Sequence, residues 1–245
     1  ARLKGRFATK VGIGGTYIST ITKNAGEFMR KLRLTVDDER VQVLCQNDEK
    51  LCSLIHVIGD YSIELQENYF ETIIEKMIGQ LLSVQAADAI RKRVRDLCPD
   101  MTPASLSLTQ DQDLRAAGLS TAKISYIRDF IDKVNNGSLC LERLPHQSDE
   151  EVMRELTQVK GIGVWTAQMF LIFSLGRLNI LPAADIGLQR GIRWLYQQKA
   201  ENIDFEFIYK KWSPYCTIAT LYMWELVNRK YEKQYSDMEA LAKFP

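Results

Sequence analysis

Histidine is scarce in this 245-residue chain: His56 and His146 are the only two, which leaves little for a histidine metal centre or a His-based catalytic triad. Each is expected to be a surface or packing residue. Five cysteines are scattered (Cys45, Cys52, Cys98, Cys140 and Cys216), and no two stand in a C-x-x-C pair. That spacing argues against a zinc site, a four-cysteine iron–sulfur cluster or a disulfide framework, and for reduced, buried thiols. No apolar run approaches the roughly 20 residues that a membrane-spanning helix needs, and no secretory signal is visible. Charge of one sign is lacking too. With 32 Lys and Arg against 31 Asp and Glu the net charge is +1, so no broad basic stripe announces a nucleic-acid binder. What remains is ordinary globular composition, 46% hydrophobic and 26% charged, enough for one large domain or two.

The most informative stretch runs from Leu156 to Arg190, LTQVKGIGVWTAQMFLIFSLGRLNILPAADIGLQR. Ser148 followed by Glu151 is a capping box, and Val152, Met153, Leu156 and Val159 then recur on one helical face. Gly161-Ile162-Gly163 interrupts the pattern before a second apolar helix, Val164 to Leu175. Two glycines between two helices make a tight hairpin. Such backbone tolerates positive φ and close approach, and the helix N-terminus that follows suits a phosphate. Alone, the same pattern is an ordinary turn. Asp185 sits about twenty residues on, at the start of a third helical run, Ile186 to Tyr196. By itself it is a helix N-cap.

The rest of the chain reads as a short β-rich segment, residues 1–46, followed by a helical domain, 47–245. Residues 31–45, KLRLTVDDERVQVLC, alternate apolar and polar on both sides of Asp37-Asp38-Glu39, which predicts a β-hairpin. Val11 to Thr22 is glycine-rich and then β-branched, and predicts a further strand. Gly12-Ile13-Gly14-Gly15 lacks the Lys-Ser/Thr of a phosphate loop and reads as a turn. From Asp48 onward the apolar spacing is helical, with helices expected around 51–58, 68–78, 84–97, 111–117, 120–135, 205–212 and 214–229. Arg91, Lys92, Arg93 and Arg95 cluster on one of these, either as a solvated face or as a phosphate contact.

VKGIGVWTA followed by LPAADIGLQR resembles the helix-hairpin-helix DNA glycosylases, and within them most closely the 3-methyladenine DNA glycosylase II (AlkA-like) branch. FETIIEKMIGQLLSVQAADAI at 70–90, LRAAGLSTAKISYIRDF at 114–130 and Trp224 in LYMWEL add to it, so that it extends over roughly Asn47 to Arg229. The combination is specific, whereas no single piece is. The resemblance implies a mainly α fold, a helix-hairpin-helix glycosylase bundle with a small N-terminal antiparallel β subdomain that is short for this branch. It implies removal of alkylated purines of the 3-methyladenine and 7-methylguanine type, flipped out of double-stranded DNA.

Carried over residue by residue, Asp185 is the catalytic carboxylate. Trp165 and Trp224 are aromatic pocket walls for a cationic base. Met169 and Ile186 also fall on base-binding positions, where this branch has aromatic residues, and Ala184 replaces a second acid. These departures bear on the substrate range. Leu81 is the apolar wedge that fills the gap left by an extruded base, or else a buried helix-end leucine. Gly161, Gly163 and Thr166 offer backbone N–H groups to a DNA phosphate. The carbonyls of Thr157, Val159 and Gly161 are a candidate seat for a monovalent cation, while no metal or other cofactor is required. Relatives that also nick the strand carry a lysine at the position of Trp165, so no lyase step is expected here. A monomer is expected, with no membrane partner, in the bacterial cytoplasm or the nucleus. The alternatives are a glycosylase for deaminated or oxidised bases and a non-catalytic helix-hairpin-helix DNA-binding module.

Overall fold

A computed structural model describes residues 12–13, 16–17, 30–199 and 203–243. Near the start, β1 (Gly12–Ile13) pairs antiparallel with β2 (Thr16–Tyr17). The rest of the strand expected over residues 11–22 lies outside the described residues. β3 (Lys31–Leu34) pairs antiparallel with β4 (Tyr61–Glu64), with Leu34 opposite Tyr61 and Lys31 opposite Glu64. Leu34, Tyr61 and Ile63 from this two-stranded sheet are buried.

The hairpin predicted for residues 31–45 is corrected here. Only its first arm is a strand, and the second is helix α1 (Glu39–Asn47). Asp38 caps α1 by accepting from the Arg40 N–H at 2.9 Å, and Val41 and Leu44, three apart, are the buried positions. The acidic run is therefore a helix start. The true partner of β3 arrives 30 residues later. Residue 46 lies within α1, and Leu34, Val41 and Leu44 join the same core as the helices that follow.

Asp48 ends α1 and caps α2 (Glu49–Ile58). This short link brings the Cys45 and Cys52 Cα atoms to 4.4 Å and the two residues pair as a disulfide, unlike the reduced thiols expected from their spacing. The Asp48 carboxylate is buried and satisfied. It accepts from Leu51 N at 3.1 Å, Trp212 Nε1 at 3.0 Å and the Tyr196 hydroxyl, and pairs with Lys211 at 3.2 Å. Trp212 is thus a core residue with its N–H used, and Trp194 likewise donates to the Tyr235 carbonyl at 2.8 Å.

The helical body follows the sequence pattern closely. α3 (Tyr69–Gly79) is capped by Asn68, α4 (Val84–Leu97) by Ser83 and α7 (Thr121–Asn135) by Ser120. Between them lie α5 (Pro103–Leu108) and α6 (Asp111–Ala116). Phe70 and Phe130 stack with ring centres 5.1 Å apart, tying α3 to α7. α8 (Asp149–Thr157) opens with the Ser148–Glu151 capping box. α9 (Val164–Phe170) runs on into a π-helical turn, Leu171–Leu175. α10 (Ile186–Tyr196), α11 (Phe205–Trp212), α12 (Cys216–Asn228), α13 (Tyr231–Gln234) and α14 (Met238–Ala242) complete the bundle. Almost every residue of α12 is buried, which makes it the central rod. No helix of the described residues is long and apolar enough to cross a membrane.

Candidate active site and nucleic-acid interface

The geometry centres on Asp185. Its backbone is extended (φ −73°, ψ 122°), so its side chain turns back over the first turn of α10. Oδ1 accepts from Leu188 N at 2.7 Å and from Trp224 Nε1 at 2.8 Å, while Oδ2 accepts from Trp165 Nε1 at 3.0 Å. Three N–H dipoles thus converge on an acceptor that is only 2% exposed. An ionised carboxylate matches that arrangement, since it accepts without donating.

Three separate elements meet here because of residue size as much as polarity. A Cβ on Gly187 would stand 3.1 Å from Asp185 Oδ1 and 3.3 Å from Trp224 Cδ1, and one on Gly191 would stand 3.1 Å from Met223 Cβ. The two glycines, four apart on one face of α10, let α12 and the Trp224 indole come close. Sequence reasoning missed their role, although the G-x-x-x-G spacing was there to find. Behind Trp224, Phe173 stacks at 5.7 Å, and the Lys76 ammonium stands 5.8 Å from the Phe173 ring centre. Burial, reinforced by the Arg91 guanidinium, pushes the Lys76 amine down to about 8.

Of the four residues expected against a base, Trp165 is half-buried and Ile186 is 67% exposed, whereas Met169 and Trp224 are 1% exposed each. The accessible apolar surface next to Asp185 therefore comes from Trp165 and Ile186. Trp224 meets the site through its N–H.

The hairpin adjoins Asp185 through Trp165. Gly161 takes φ +81° and is packed against the Tyr126 ring so closely that a Cβ there would run into it. The Lys160 N–H donates to Asp129 Oδ2 at 2.9 Å, which anchors the loop to α7. Burial works to raise the Asp129 carboxyl, but the Lys133 ammonium and the Lys160 N–H outweigh it and hold the group below the usual range. Gly163 starts α9 in an open setting with no side chain capping it, so the first N–H groups, including that of Thr166, have no acceptor within the helix. Val164, next in line, is 59% exposed.

Leu81 is fully exposed in the turn between α3 and α4 and takes φ +58°. It is not the buried helix-end leucine of the alternative reading. Two members of the basic cluster on α4 are committed to their own neighbours, while Lys92 and Arg93 are exposed. Arg91 is buried and bonds Asp88 at 2.8 Å, while Arg95 pairs with Glu71 at 2.9 Å and with Glu75. Among the described residues one group of metal-ligating side chains gathers, Cys45, Cys52 and His56. With the two sulfurs joined, only His56 there keeps a free ligand atom.

The chain is similar to known proteins over this region. The HhH-GPD superfamily base excision DNA repair protein family matches residues 74–214, which includes Leu81, the hairpin and Asp185. The chain belongs to the HhH-GPD superfamily. Within that superfamily, DNA-3-methyladenine glycosylase 1 of Schizosaccharomyces pombe is 32% identical over 190 residues, covering 73% of this chain and 82% of that protein. YfjP of Bacillus subtilis is 38% identical over 129 residues, 51% of this chain, and the match spans 45% of its length. A crystal structure of DNA-3-methyladenine glycosidase from Bacillus halodurans superposes with a TM-score of 0.79 at 34% identity, over 86% of this chain and 99% of that one.

Proposed function

We propose that this chain is a monofunctional DNA glycosylase that hydrolyses the N-glycosidic bond of alkylated purines flipped out of duplex DNA. The observation that carries this reading is the buried Asp185 carboxylate, held by two indole N–H groups and a helix start next to a glycine hairpin. Breaking the bond sends its electron pair to the departing base and leaves positive charge on the sugar, as in glycoside hydrolysis. A fixed anion in a water-poor setting stabilises that charge. Asp185 then takes a proton from the water that adds to the anomeric carbon, giving an abasic sugar and free base. Alkylation at N3 or N7 makes the purine a cation. The Trp165 face attracts it, the more so because its N–H is bonded to an anion.

Gly161, Gly163 and Thr166 serve as the phosphate clamp. Two of the hairpin carbonyls are partly used: Val159 O accepts from Ile162 N at 3.0 Å and Gly161 O from Gln80 Nε2 at 2.8 Å. A carbonyl has two lone pairs, so Thr157, Val159 and Gly161 still offer one each to a monovalent cation. The cation would stiffen the loop and take no part in the chemistry.

The direct test is incubation with methylated duplex DNA, measuring released 3-methyladenine and 7-methylguanine against abasic sites formed. Equal amounts of both are expected. Duplex binding with no base released would make the chain a binding module. Release confined to deaminated or oxidised bases would reassign its substrate.

Trp165 at the lysine position predicts no Schiff base, so borohydride should trap no protein–DNA adduct. A trapped species would overturn the monofunctional reading. Its loss in Lys76→Met would then give the amine to Lys76, the lysine set against the aromatic stack behind Asp185.

A further inference from the structure

Leu81 combines two features that its own side chain does not explain. It takes the left-handed conformation that favours glycine, and it touches nothing that would hold it there. The hold comes from its neighbours. Lys123, on the first turn of α7, sends its ammonium to the carbonyls of Ile78 at 2.6 Å and Gln80 at 2.8 Å. These are oxygens at the C-terminal end of α3, where carbonyls lack helical partners and a cation is favoured. The Gln80 side chain reaches the other way, and its Nε2 donates to the Gly161 carbonyl at 2.8 Å. On the far side of the turn the Leu82 N–H returns to Gly79 O at 3.3 Å, and Ser83 caps α4.

We propose that Lys123 is a positioning residue for DNA opening: it braces the α3–α4 turn so that Leu81 is presented to the base stack, and Gln80 couples that turn to the hairpin. The proposal rests on the reading of Leu81 as the wedge. Lys123 is spent on this task alone. Both of its acceptors are backbone carbonyls, those of Ile78 and Gln80. Burial and the Arg91 guanidinium both push its pKa down, so the ammonium is kept there against its surroundings. Plain solvation would not place it so. The Gln80 tie has a functional consequence as well. A wedge that enters DNA must keep register with the backbone it pivots on, and this bond joins the residue before Leu81 to the carbonyl of the first hairpin glycine.

The test compares Lys123→Met, Lys123→Arg, Leu81→Ala and the Met/Ala double variant on two DNAs. One carries 7-methylguanine paired with cytosine, the other the same base in a one-nucleotide bulge, and single-turnover excision is read on both. A 2-aminopurine beside the target reports opening of the stack independently of the chemistry. Lys123→Met should lose about tenfold or more on the paired base and less than about twofold on the bulge, with the same selective loss in Leu81→Ala, because only the paired base has to be unstacked. Lys123→Arg, which keeps two donors, should recover most of the loss. The double variant should be no worse than Leu81→Ala, since both changes act on one step.

Equal losses on both DNAs, or losses that multiply in the double variant, would overturn the brace. If Leu81→Ala is selective for paired DNA and Lys123→Met is not, the wedge stands and the brace falls. If Leu81→Ala is not selective, the wedge reading falls and takes the brace with it. Should Lys123→Met fail to fold, Lys123→Gln, which removes the charge and shortens the side chain but keeps an amide NH2, is read in the same way.

Discussion

Asp185→Asn should leave a folded protein that binds DNA and releases almost no base. Asparagine caps a helix about as well as aspartate, so α10 keeps its start. Its Oδ1 can go on accepting from Leu188 N and Trp224 Nε1, now at 2.7 and 2.8 Å. The new amide group, however, faces Trp165 Nε1–H, which at present donates to Oδ2 at 3.0 Å. Donor would meet donor in a half-buried place, at a cost of about 1–3 kcal/mol. For a chain of this size that is a fall of roughly 2–4 °C in melting temperature per kcal/mol. Excision should fall much further, by roughly two to three orders of magnitude, as when one preorganised charge-stabilising group is removed. Each tenfold loss is about 1.4 kcal/mol of transition-state stabilisation. The loss should be smaller for cationic 7-methylguanine than for neutral hypoxanthine, because a cationic base leaves with less help. Single-turnover excision, duplex binding and a melting curve on the same preparation decide it. Undiminished excision would reduce Asp185 to a cap and remove the proposed mechanism.

How much of this site could be read beforehand depended on sequence distance. Local chemistry was legible. The Ser148–Glu151 box, the two hairpin glycines and a carboxylate at a helix start each announce themselves within a few residues. The bonds that make a site of them were not. Trp165 and Trp224 reach Asp185 across 20 and 39 residues, and Lys123 grips carbonyls 45 and 43 residues upstream. Nothing in the pattern around an indole says where its N–H points. The missed helix at 39–47 has a different cause. Val41-Gln42-Val43-Leu44 fits a two-residue and a three-residue period equally well over so short a window. What decided it was the Asp38 cap and a strand partner, β4, that lies beyond the window altogether. The Cys45–Cys52 pair follows from the same error, since the turn of the chain at Asp48 that brings the two together exists only if 39–47 is helical.

The two hairpin glycines should respond differently to the same substitution, and the contrast tests the phosphate clamp. Gly161 holds φ +81° against the Tyr126 ring. Alanine there is strained by its backbone and has no room for its methyl group, so Gly161→Ala should lower the melting temperature and weaken every function together. Replacing Tyr126 by alanine as well would free the space but not the backbone, and should restore stability only in part. Gly163 has an ordinary φ of −92° and nothing within 4 Å of a built Cβ. Gly163→Ala should therefore fold and melt like the parent. Its methyl group matters only when something comes up to the start of α9, where the free N–H groups point. Duplex affinity should fall about tenfold, ~1.4 kcal/mol, and by the same factor for damaged and undamaged DNA, because a phosphate contact carries no information about the base. Excision at saturating protein should stay near the parent rate, since Asp185 and its three donors are untouched. Unchanged affinity would mean that the backbone of the hairpin does not approach DNA. A loss confined to damaged duplex would place Gly163 against the flipped base instead of the phosphate.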